Sequence, residues 1–197
     1  MSSILVLYYS SGGKTRQLAH LIARGIEEYG SEAVIRTVPR VSANNEKTEE
    51  IIPDSGDCYV NLQDLANCDG LIVGSPSRFG NMSAPLKYFI DQTSELWMNS
   101  KLTDKPVSFF TSASSLHGGQ EAVLLSMMIP FLHHGMVICG LPYSETSLLH
   151  TKTGGTPYGV SHWSGTNNEH SISEEEKLLA KAQGKRIAKF ATQLMKQ

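Results

Sequence analysis

The residues best suited to chemistry stand in short runs of small and hydroxylated side chains. The first is Ser10-Ser11-Gly12-Gly13-Lys14-Thr15. It follows an apolar run, Ile4 to Tyr9, and precedes a stretch of helical periodicity. Hydroxyls, two glycines and the free N–H groups of a helix start make a nest for an anion such as a phosphate. Lys14 in a first helical turn opposes the helix macrodipole, and a bound phosphate would resolve that conflict. The plainer alternative is a Ser/Gly loop that only caps a helix. The P-loop of nucleotide triphosphatases fails, because counting back from Gly13 puts Tyr8 where that motif needs its first glycine. The dinucleotide fingerprint Gly-x-Gly-x-x-Gly does not occur here either.

Two further runs carry related chemistry. Ser77-Arg78-Phe79-Gly80 joins an aromatic, an arginine and small residues, as needed to wrap a planar ring with backbone groups. A flavin asks for this: polar partners at its pyrimidine edge and apolar cover at its benzenoid edge. The alternative is a surface loop whose Phe79 packs inward. The run from Ser112-Ala113-Ser114-Ser115 to Gly118 would face the other side of the same ring, or serve as an ordinary strand-to-helix loop.

The elements that must hold these runs alternate between strand and helix. Ile4 to Tyr9 reads as a strand covered on both faces. Thr15 to Tyr29 carries Leu18, Leu21, Ile22, Gly25 and Ile26 at helical spacing. Ala33 to Val38 is a second strand, and Pro39 to Gly56 a long polar surface loop. A short helix at Leu62 to Ala66, a strand at Gly70 to Gly74 and a helix from about Ser83 follow. Pro85 falls in the first turn of that helix, where a missing N–H costs nothing. Its inner face is Leu86, Phe89, Ile90 and Thr93. Pro106 to Thr111 is a fourth strand, Gln120 to His134 a helix that Pro130 should kink or break, and Met136 to Cys139 a fifth strand. A Gly/Ser/His-rich excursion spans Glu145 to His170. Ser173-x-x-Glu176 is a capping box, opening a helix that buries Ala180, Gly184, Ile187, Ala191 and Leu194. This order predicts one α/β domain with a doubly wound parallel sheet, whose ligands sit at the carboxyl ends of the strands.

The 197 residues are 40% hydrophobic and 18% charged, with a net charge of -2. A basic face for nucleic acid is not indicated, and neither is the strongly acidic surface of a steered electron carrier. Three scattered cysteines, Cys58, Cys68 and Cys139, fit inert thiols in a reducing, cytoplasmic compartment better than disulfides or zinc. The N-terminal apolar stretch lacks a basic region and a cleavage site, so it reads as a strand and not a signal peptide. No apolar run reaches the ~20 residues of a membrane span.

Leu7-Tyr8-Tyr9-Ser10, Pro76-Ser77-Arg78-Phe79-Gly80-Asn81-Met82, Gly118-Gly119-Gln120-Glu121, His133-His134-Gly135-Met136 and Gly154-Gly155-Thr156-Pro157-Tyr158-Gly159 follow one another in this order. Together, from Ile4 to about Leu194, the chain resembles the flavodoxin-like NAD(P)H:quinone oxidoreductases of the tryptophan-repressor-binding-protein type. That resemblance implies a five-stranded sheet of order 2-1-3-4-5 in three layers. It implies FMN, its phosphate held by Ser10 to Thr15 and its ring by Ser77 to Gly80 and Ser112 to Gly118. It further implies dimers and tetramers in which His133 approaches the pyrimidine side and Trp97 lines the space for nicotinamide and quinone. Where this chain has Gly12 and Lys14, the family often has an aromatic and a histidine. The loop after the fourth strand, with Ser115, Leu116 and His117, is one residue longer than usual.

The implied reaction is two-electron quinone reduction by NADH or NADPH, with hydride passing through flavin N5 in ping-pong order. A single-electron carrier and a regulatory FMN-binding module are the alternatives. Taken alone, His133 is a histidine suited to the last turn of a helix. Trp97 is equally suited to a core or an interface.

Overall fold

The computed structural model describes residues 1–42 and 55–195. The expected polar loop, Pro39 to Gly56, therefore lies largely outside the described residues. The elements are β1 (Ser3–Tyr8), α1 (Lys14–Tyr29), β2 (Glu32–Thr37), α2 (Leu62–Asn67), β3 (Gly70–Pro76), α3 (Ala84–Asp91), α4 (Ser94–Met98), β4 (Pro106–Ala113), α5 (Gln120–His133), β5 (Val137–Ile138), α6 (Ser147–His150), β6 (Val160–Trp163) and α7 (Glu174–Leu194).

The sheet is parallel, in the order β2-β1-β3-β4-β5, with β6 also paired to β4. It is a doubly wound, flavodoxin-like α/β/α sandwich. β1 and β3 are central and nearly wholly buried, which is why they read as continuous apolar runs. One face packs Leu5, Leu7, Val73 and Phe109 against α3, α4 and α5. The other packs Ile4, Val6, Ile72 and Phe110 against α1 and α7. Gly25 and Gly184 let those two helices touch: a Cβ on Gly25 would strike the backbone of Lys181, and one on Gly184 that of Ile22.

The expected single fifth strand is in fact two pieces. β5 pairs only with Pro106 and Val107. The chain then leaves the sheet and returns as β6 beside Phe110 to Ala113. The break is sealed by a side chain. Gln183 of α7 donates through Nε2 to Ser108 Oγ and Phe109 O, both at 2.7 Å. Its Oε1 accepts from Val160 N at 3.1 Å. One buried amide thus supplies hydrogen bonds that a continuous strand would have made.

Other expectations need adjusting. Ser112 and Ala113 end β4 and do not belong to the loop after it. Helix α5 runs through Pro130 unbroken, because Val123, Met127 and Phe131 anchor it to the sheet on both sides of the proline. Leu194, expected to be buried, is 38% exposed at the end of α7. The capping box holds: Ser173 Oγ accepts from Glu176 N, and Glu176 Oε2 from Ser173 N.

Candidate functional site

The carboxyl ends of β1, β3, β4 and β6 converge on one cavity of about 220 Å³. Its floor is the loop after β1. Gly13 takes φ 85° as the residue before α1, a left-handed turn that a side chain would strain. Its N–H donates to Ser10 Oγ at 3.1 Å. That turn brings the start of α1, a sixteen-residue helix with no acid in its first turn, to the cavity wall. Thr15 is buried, its hydroxyl 2.8 Å from Ser112 Oγ across the sheet. A hydroxyl from the first turn of α1 and one from the end of β4 therefore stand side by side at the mouth of a helix dipole.

Two cations border the same space. Lys14 Nζ donates to His170 O at 2.5 Å. Arg78 donates to Ser11 Oγ at 2.9 Å and to Ser77 O at 3.0 Å. Lys14, Arg78 and the hydroxyls of Ser11, Thr15, Ser112 and Ser114 suit a phosphate dianion in charge and donor number. They fit the phosphate of FMN, and by the same chemistry other phosphomonoesters.

The two loops expected to hold a ring lie next to it. Ser77 N donates to Ser112 O at 2.8 Å, and Ser77 Oγ to Gly118 O at 2.5 Å. Gln120 Nε2 closes the loop after β4 by donating to Ser115 O at 3.0 Å. Phe79 does not pack inward. It is fully exposed, with φ 53°, a left-handed conformation that is unusual for an aromatic residue and carries strain. Gly80 lies against Gly119, within 2.9 Å of where a Cβ on Gly119 would stand. The two loops are therefore in contact, with the aromatic turned out to solvent.

Trp97 and His133 are not brought to this cavity within one chain. Helices α3 and α5 run antiparallel to the strands, so α4 and the end of α5 fall at the opposite end of the sheet. There Thr93 Oγ1 and His134 Nε2 lie 2.9 Å apart. Trp97 is 54% exposed, and His133 is exposed while His134 is buried. Burial and the neighbouring His133 push the His134 imidazole below its usual pKa. Tyr88, Met98, Leu125, Ile129 and Leu132 are exposed on the same helical layer.

Several residues around the site carried no sequence signal of a role there. Tyr8 OH donates to Asp57 Oδ2 at 2.6 Å, and His20 Nε2 and Arg16 Nε lie 3.1 and 3.5 Å from the same oxygen. Burial, and then the bond to Asp57, push the Tyr8 phenol well above its ordinary pKa. Ser164, Gly165, Thr166 and Asn168 form the cavity's outer side, and Trp163 Nε1 donates to Ser114 O at 3.2 Å. Composition could not point to them, since they reach the site only through contacts distant in sequence. Among the described residues, no three of His, Cys, Asp and Glu cluster as metal ligands, and no helix is long and apolar enough to cross a membrane.

Residues 2–145 match the family model of NADPH-dependent FMN reductases. A protein of Geotalea daltonii named NAD(P)H dehydrogenase (quinone) is 38% identical, over 98% of each chain. Among solved structures, a flavodoxin, WrbA-like protein from Agrobacterium tumefaciens superposes with a TM-score of 0.67 at 23% identity, covering 98% of this chain and 99% of that one. A flavodoxin from the domain Archaea gives 0.65 at 19% identity, covering 96% and 99%. The chain belongs to the NADPH-dependent FMN reductase family, on a flavodoxin fold.

Proposed function

We propose that this protein is an FMN-dependent NAD(P)H:quinone oxidoreductase that acts as a homodimer or homotetramer. The observation that carries the proposal is the cavity where Lys14, Arg78 and four hydroxyls meet beside the Ser77–Gly80 and Ser112–Gly118 loops. FMN bound there would accept a hydride from NADH or NADPH at N5 and pass two electrons to a quinone. The protein's own part is to bind and orient. Lys14, Arg78 and the start of α1 neutralise the phosphate, and Ser10, Ser11, Gly12, Gly13 and Thr15 shape its nest. Ser77, Gly80, Ser115 and Gly118 offer backbone and hydroxyl groups to the ring's polar edge. Phe79, strained and exposed, gains cover only from a bound ring or a neighbouring subunit.

The exposed apolar side chains on α3, α4 and α5 support assembly, since scattered single residues would be ordinary but a shared face is not. In an oligomer, Trp97 and His133 of one copy can border the flavin of another, and a dihedral tetramer is the usual closed form for four chains. The free thiols suit a cytoplasmic setting.

Anaerobic titration of FMN-loaded protein with NADH and then NADPH tests the reading. Full bleaching of the flavin by one equivalent, restored by benzoquinone with parallel double-reciprocal lines, is the expected result. A flavin that neither nucleotide reduces would favour the regulatory module, and obligatory one-electron exchange would favour the carrier.

A further inference from the structure

The excursion that interrupts the sheet edge returns through β6 and then forms one more loop, Ser164 to Ile172, before α7. Both ends of that loop are pinned by a single carboxylate. Glu176 is 0% exposed. Its Oε2 accepts from Ser173 N at 2.8 Å and from His162 Nδ1 at 3.0 Å. His162 is the residue before Trp163 at the end of β6 and Ser173 caps α7, so the loop's two feet share one acceptor.

Between the feet, the loop's contacts run to the cofactor cavity. Ser164 N donates to Ala113 O at 2.8 Å, continuing the β4–β6 pairing up to the cavity rim. Trp163 donates to Ser114 O and packs edge-on against His170, with centroids 4.1 Å apart. Lys14 donates to His170 O. Asn168 Nδ2 donates to Gly12 O at 2.8 Å. A Cβ on Gly12 would sit 3.7 Å from Asn168, in ordinary van der Waals contact, so the two residues are packed together as well as hydrogen-bonded. Ser164, Gly165, Thr166 and Asn168 line the cavity opposite Ser11, Gly12 and Thr15. The Thr166 hydroxyl makes no hydrogen bond to any described residue. Glu169 is the acid of this loop. Its Oε2 accepts from Asn167 N at 2.7 Å, and its own backbone N–H, with that of Asn167 after it, holds its pKa below the usual carboxylate value.

We infer that the Ser164–Ile172 loop is the outer wall of the phosphate subsite, held shut by Glu176 and by Asn168 on Gly12, with Thr166 as an added donor to the phosphate. This rests on the FMN reading above and extends it. The wall meets the Ser112–Gly118 run only at Ala113 O and Ser114 O, while Thr166 and Asn168 face the Ser11–Thr15 side, so these two side chains act on FMN and not on riboflavin, which shares the ring but lacks the phosphate. The wall also makes cofactor release depend on the loop opening.

The test compares FMN and riboflavin on the wild-type chain and on the double variant Thr166→Val, Asn168→Gly. Glycine accepts the φ of 62° at position 168, so the backbone there is not strained by the change. Losing two hydrogen bonds at the phosphate end should raise the FMN Kd about tenfold and speed its release to match, with the riboflavin Kd unchanged within about twofold. Equal weakening of both ligands would overturn the inference and make the loop a support for the ring. Unchanged FMN affinity would overturn it as well. Hydrogen exchange on the wild-type chain gives a second measurement that needs no variant. Residues 163–172 should gain protection with FMN but not with riboflavin, and protection absent with both would refute the wall. A wild-type chain that binds neither ligand would overturn the FMN reading itself.

Discussion

Gln183 offers the sharpest test of how the sheet edge is held. Its amide is 1% exposed and serves Ser108 Oγ, Phe109 O and Val160 N at once. Gln183→Leu keeps the volume roughly constant and removes all three partners. Each buried polar group left unpaired costs about 1–3 kcal/mol. Ser108 can turn its hydroxyl elsewhere, so the net loss should be about 2–5 kcal/mol. That is a large part of the ~5–15 kcal/mol that stabilises a typical domain. At this chain length it lowers the melting temperature by roughly 5–15 °C. Urea unfolding should show a lower midpoint with an unchanged slope. Gln183→Glu adds a sign. A protonated carboxyl can still donate once, whereas the ionised form sets one carboxylate oxygen against Phe109 O while the other accepts from Val160 N. Burial raises the folded-state pKa of such a carboxyl, so the variant keeps its stability below the unfolded value of ~4.3 and loses it as pH rises above that. A Gln183→Leu protein within about 1 kcal/mol of wild type, across pH, would refute the view that this amide stands in for a missing strand.

Ser10→Ala with Thr15→Ala should weaken FMN by about 2–4 kcal/mol, since bonds to charged groups are worth ~1.5–3 kcal/mol each and water regains part of the loss; fluorescence titration reads it. Thiol titration of the native chain should find Cys58 alone, because Cys68 and Cys139 are buried and burial pushes the Cys68 thiol up to about 11; unfolding should release all three. The Glu28 carboxyl, held at about 2 chiefly by its bond to Lys181 and then by Lys185, keeps these pairs above the ordinary carboxylate pKa and loses them as pH falls towards 2; NMR titration checks the midpoint, which Lys181→Met should move upward. Trp97→Ala should shift sedimentation towards smaller species and slow quinone turnover, while FMN affinity of the dissociated chain falls with dilution if the site is shared.

The sequence made the core legible wherever burial on both faces leaves an unbroken apolar run, as in β1 and β3, or a stripe at helical spacing, as in α1. Local chemistry was equally readable: Pro85 at the start of α3, and Ser173 with Glu176 at the start of α7. β6 was not readable. Val160-Ser161-His162-Trp163 has neither alternation nor an apolar run, and it becomes a strand only because β4 offers an open edge and α7 offers Glu176 and Gln183. Pro130 misled for the opposite reason, since packing of the turns around it outweighs a local preference. At the candidate site, the Ser10–Thr15, Ser77–Gly80 and Ser112–Gly118 runs follow strands, and composition alone picks them out. The Ser164–Asn168 side could not, because nothing local distinguishes it from any polar loop, and its meeting with Gly12 spans most of the chain.

The divided sheet edge has an implication for how this scaffold can vary. β5 is fixed by Pro106 and Val107, and β6 by Phe110 to Ala113 and by Gln183. Whatever joins them bears no share of the sheet's register. Lengthening such a connection costs only about 0.6 kcal/mol for each doubling. The stretch between Leu141 and Thr151, ahead of the packed Gly154–Gly159 segment, can therefore grow or shrink while the carboxyl ends of the central strands stay in place. It is an address label that can be rewritten, giving descendants of one ancestor different neighbours around the same chemistry.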